Sequence, residues 1–61
     1  MIEPLYVMRV GGADPTITTA SAIIDAWEHN VPDVAARVLD LEPGQEITVF
    51  KSPVVVVHRL R

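Results

Sequence analysis

A chain of 61 residues without cysteine has room for one small α+β domain, with no disulfide or thiolate metal site to brace it. At this size only ~60% of the unfolded chain's surface is buried on folding, so a second copy or a partner is the natural added support and a deep catalytic cleft is hard to build. Five Lys and Arg residues against eight Asp and Glu, a net charge of −3, argue against direct nucleic-acid binding, and no apolar run approaches the ~20 residues that a membrane span requires.

The first strand is expected over Met1 to Val10. Leu5 and Val7 alternate with Tyr6, Met8 and Val10, so both faces are apolar. Pro4 lacks a ladder donor and places that end at a strand start or edge. No basic region followed by an apolar stretch opens the chain, so a signal peptide is not expected. Together with the absence of cysteine, this makes the expected location cytoplasmic.

Gly11 to Asp14 reads as a loop, and Asp14-Pro15 as a helix start with an acidic cap and proline in the first turn. Ile17, Ala20, Ile23, Ile24 and Trp27 recur at intervals of three and four, which predicts a helix from Pro15 to His29. The β-branched run Thr16 to Thr19 opposes that start and would suit a loop or a short strand. Pro32 forces a break. A second helix follows, with Asn30 or Val31 before it and Val34, Ala35, Val38, Leu39 and Leu41 on its apolar side.

Glu42-Pro43-Gly44-Gln45 carries proline and glycine where a type II turn requires them. Gln45 to Phe50 then alternates, Ile47 and Val49 against Glu46 and Thr48, as a strand does. Lys51-Ser52-Pro53 connects it to a last strand, Val54 to Leu60. Four consecutive valines in that strand place apolar groups on both faces, which suits a central position. The simplest architecture is strand–helix–(helix)–strand–strand, a three-stranded antiparallel sheet in the order 1-3-2 with helices on one face. Two short helices then leave a second sheet face, presenting Tyr6, Met8 and Phe50, for a dimer or a partner.

The charges are segregated. Residues 14–46 hold seven acids and one base, Arg37, whereas residues 47–61 hold Lys51, Arg59 and Arg61 and no acid. Asp25, Glu28, Asp33 and Asp40 are the candidate partner-binding residues, and a solvated acidic helix surface is the reading preferred over a general acid–base pair, which needs a cleft to shift its pKa. No catalytic residue is assigned, and enzymatic activity is not expected. His29 and His58 form no pair at metal-ligand spacing, so no metal is assigned. GGADP between strand and helix lacks both the GxGxxG spacing and a lysine, so no phosphate-binding loop and no cofactor is assigned. Trp27, the sole tryptophan, is placed in the core by its spacing.

Two resemblances bear on function. Residues 31–49, VPDVAARVLDLEPGQEITV, are similar to AbrB-type swapped-hairpin domains through Pro32, Arg37, Leu39, Leu41, Pro43, Gly44, Ile47 and Val49. That resemblance implies a dimeric antitoxin or transcriptional regulator binding DNA, here through Lys51, Arg59 and Arg61. The family's strand before the proline is replaced by AWEHN, and Asp40 stands where its helix-ending glycine falls. The small, cysteine-free, acidic chain also resembles phage-encoded inhibitors, including anti-CRISPR proteins. This second resemblance implies an inhibitor or adaptor that occupies a basic, nucleic-acid-binding surface of a larger host complex, and it is the leading expectation.

Overall fold

A computed structural model of the chain describes residues 3–61. Six elements follow in order: β1 (Tyr6–Val10), β2 (Thr16–Thr18), α1 (Ala20–Trp27), α2 (Val34–Leu39), β3 (Glu46–Lys51) and β4 (Val54–Arg59). They form an α+β fold around one four-stranded antiparallel sheet in the order β2-β1-β4-β3. This corrects the expected architecture, a three-stranded sheet in the order 1-3-2 under helices on one face. The added strand is β2, formed by the β-branched run for which a loop or a short strand is the sequence's alternative to a helix start. Met1 and Ile2, expected to begin the first strand, lie outside the described residues.

The residues of β2 explain the correction. Thr16, Ile17 and Thr18 are β-branched and lose rotamer freedom in a helix, whereas a strand accommodates them. They pair with Met8, Val7 and Tyr6 respectively. Gly11, at a φ of 58°, and the Ala13 N–H donating to the Val10 carbonyl at 3.1 Å turn the chain out of β1 before that pairing. The start of α1 consequently moves from Pro15 to Ala20. Its cap is Thr19, in extended conformation, whose Oγ1 accepts from the Ala22 N–H at 3.3 Å.

The first helix ends at Trp27. The Val31 N–H donates to the Trp27 carbonyl at 2.8 Å, and Pro32 follows in the link. Asp33 precedes α2 without a side-chain capping bond, so the second helix starts at Val34 rather than at the proline. The turn into β3 has the expected form. Gly44 adopts a φ of 90°, and the Gln45 N–H donates to the Glu42 carbonyl at 3.0 Å. The side chain of Gln45 closes the same turn by accepting from the Glu42 N–H at 2.9 Å.

The two central strands, β1 and β4, pair over five positions from Tyr6–Arg59 to Val10–Val55. Partners opposite each other share a sheet face, so Tyr6, Met8, Val10, Val55 and Val57 fall on one side. Ile23 of α1, Val34 and Val38 of α2, and the flanking Val31 and Leu41 complete the core against them. Here β3 departs from strict alternation. Thr48 faces Val56, yet Phe50 faces Val55, so Val49 is an extra residue in a β-bulge. Val49 is buried and Phe50 packs beside it against the same core.

Candidate protein-interaction surfaces

The outer surface of the helical layer is acidic. Asp25 and Glu28 belong to α1 and its end, and Asp33 and Asp40 bracket α2. All four side chains are exposed, and none forms an ion pair among the described residues. Arg37, the one base in this stretch, forms no ion pair with them. Its Nη2 donates to the Thr48 carbonyl on β3 at 2.9 Å. Asp33, four residues before Arg37, is thus left without it, because the guanidinium bonds to the sheet edge instead. No three of the described His, Asp or Glu side chains come together as a metal-holding group.

The apolar residues expected on an open sheet face sit elsewhere. Tyr6 is 1% exposed and belongs to the core, while Met8 and Phe50 pack against that core. Phe50 also meets Trp27, ring centroid to ring centroid at 5.5 Å. Sequence parity put Phe50 opposite Val49, but the bulge turns both inward. Tyr6 therefore belongs to the interior, and Met8 and Phe50, half-buried, pack on the core side of the sheet rather than on an open face.

The opposite face of the sheet carries a different set of side chains. Strand pairing aligns Ile17, Val7, His58 and Glu46 in one row across all four strands. A second row holds Arg9, Val56 and Thr48, and Val54 pairs with Lys51 in a third. Ile17 is 66% and Val54 50% exposed, while Val7 and Val56 are half-buried. Val7, Arg9, Pro15, Glu46, Val56 and His58 line a shallow depression of about 270 Å³, and no helical residue contributes to it. On its rim Nδ1 of His58 lies 3.7 Å from Oε1 of Glu46. This face was not singled out from sequence, where both faces of the first strand and of the last are apolar.

The three C-terminal bases do not converge. Lys51 pairs with Val54 at one end of β4, whereas Arg59 pairs with Tyr6 at the other. Five residues of strand separate those ends by ~17 Å. Arg59 donates from Nη1 to the Leu41 carbonyl at 2.6 Å and from Nε to the Arg61 carbonyl at 3.1 Å. Nε of Arg61 donates to the Glu3 carbonyl at 3.4 Å. These bonds tie the end of the chain to the domain and leave no fan of free cations. No helix among the described residues is long and apolar enough to cross a membrane. The chain matches no family model, no curated protein and no solved structure.

Proposed function

We propose that the chain is a non-catalytic binding protein, an inhibitor or adaptor that covers a basic, nucleic-acid-binding surface of a larger protein. One observation carries this reading. Four exposed carboxylates, Asp25, Glu28, Asp33 and Asp40, share the helical layer, and the one base among them, Arg37, is bonded to the sheet backbone. A predominantly acidic surface of this kind accelerates encounter with the opposite charge and selects against acidic partners. It also repels the phosphate backbone, and the separated Lys51, Arg59 and Arg61 offer that backbone no compensating patch. The reading agrees with what the resemblance to small phage-encoded inhibitors implies.

The test is affinity capture from the native cell with nuclease present. The expected result is a nucleic-acid-binding protein held at low salt and released as salt rises. A variant with Asp25→Asn, Glu28→Gln, Asp33→Asn and Asp40→Asn should lose that protein while keeping its own fold. Retention of the same partner by the neutralised variant would rule the acidic surface out as the contact.

A further inference from the structure

The outward sheet face mixes apolar and charged side chains, and it carries opposite charges at positions that a two-fold rotation exchanges. Val7 and Val56 occupy its middle on the central strands β1 and β4. Arg9 stands on β1 beside Val56, and Glu46 stands on β3 beside His58. Arg9 and Glu46 are therefore two strands and one side-chain row apart, ~12 Å by strand geometry. In the described residues neither reaches the other, and Arg9 makes no ion pair.

We infer that this face binds a second copy of the chain, sheet against sheet, with Arg9 of each copy meeting Glu46 of the other. A two-fold axis in the plane between the sheets, crossing β4 between Val56 and His58 at right angles to the line from Arg9 to Glu46, brings both pairs together at once. Such an interface is isologous, so one self-complementary patch suffices. The two ion pairs flank the packed valines and fix the rotation of one sheet on the other. The depression over Val7 and Val56 receives the stem of the partner's arginine, whose methylenes cover apolar surface while the guanidinium reaches the carboxylate. Glu46 then lies between its own His58 and the incoming cation.

The area fits a weak, reversible dimer. The nine outward side chains, in rows of four, three and two, give a footprint of roughly 300 Å² per copy. Stacking two such faces removes on the order of 700 Å² of accessible surface in total, the size of a weak, transient contact. Association on the order of 100 μM is the corresponding expectation. The inference is independent of the acidic helical surface, which stays outside the contact on both copies.

The experiment is sedimentation equilibrium of the full chain from micromolar to millimolar concentration, on the wild type, Arg9→Glu, Glu46→Arg, the double exchange, and an equimolar mixture of the two single variants. Far-ultraviolet circular dichroism and Trp27 fluorescence confirm folding of each. The wild type should dimerise, and each single variant, facing like charge with like, should bind itself about a hundredfold more weakly. The double exchange should restore association, and so should the mixture, because its heterodimer again pairs opposite charges at both positions. Val56→Asp, at the centre of the face, should be monomeric. A wild type monomeric throughout overturns the inference, including one that covers this face only with another protein or a small molecule. A dimer indifferent to Arg9→Glu, Glu46→Arg and Val56→Asp, or single variants that fail to associate when mixed, overturns it equally.

Discussion

The rings of Trp27 and Phe50 lie 5.5 Å apart with their planes tilted by 34°, and they join the end of α1 to the bulged strand β3. Offset or tilted aromatic pairs at this range stabilise by about 0.5–1.5 kcal/mol beyond the area they bury. A double-mutant cycle with Trp27→Leu and Phe50→Leu, followed by urea unfolding, should return a coupling in that range. A coupling indistinguishable from zero would mean that the two rings are packed independently.

The same pair shows where the sequence stops being legible. Helical spacing alone places Trp27 in the core, because a period of three and four is a local property of the chain. Alternation from Val49 puts Phe50 on the open face, because it assumes an uninterrupted ladder. A bulge depends on the partner strand and leaves no mark on β3 itself. The short strand β2 was obscured for a related reason. Ile17 continues the helical spacing of Ala20 and Ile23, and only its pairing with Val7 shows that it belongs to the sheet. By contrast, Pro43-Gly44 announced its turn, since the φ of 90° found at Gly44 is a requirement that few residues meet. The acids of the candidate surface were read directly, exposed carboxylates being a matter of composition. The apolar pattern assigns the open face to Tyr6, Met8 and Phe50, the wrong side, because Leu5 and Val7 are as apolar as Tyr6 and Met8 and do not mark the outward face.

Gly44 and Gly12 provide a matched comparison of backbone conformation. A Cβ added at either glycine meets no atom within 4 Å, but only Gly44 has a positive φ. Gly44→Ala should therefore destabilise by about 1 kcal/mol through backbone strain alone. Gly12→Ala should change stability by less than ~0.5 kcal/mol. Thermal unfolding of the two variants side by side distinguishes this from a general intolerance of side chains in the loops.

Adjacent valines of β4 report which face is interior. Val57 is fully buried and Val56 half-buried on the opposite side. Val57→Thr places a hydroxyl among apolar side chains and should cost about 1–3 kcal/mol. Val56→Thr keeps shape and β-branching at a surface that water or a second copy reaches, and in dilute protein it should cost less than ~1 kcal/mol. Denaturant midpoints at low protein concentration check the contrast, and equal costs would contradict the assignment of faces.

The proposed role of the acidic helical layer is tested most directly by competition. Once the captured partner is purified, its affinity for the chain is measured against increasing salt and against its own nucleic acid, for the wild type and for the variant neutralised at Asp25, Glu28, Asp33 and Asp40. The account predicts that wild-type binding weakens as salt rises, that nucleic acid and the chain exclude each other, and that the variant binds at least about tenfold more weakly. Binding that ignores salt, tolerates bound nucleic acid and survives neutralisation of all four carboxylates would contradict it.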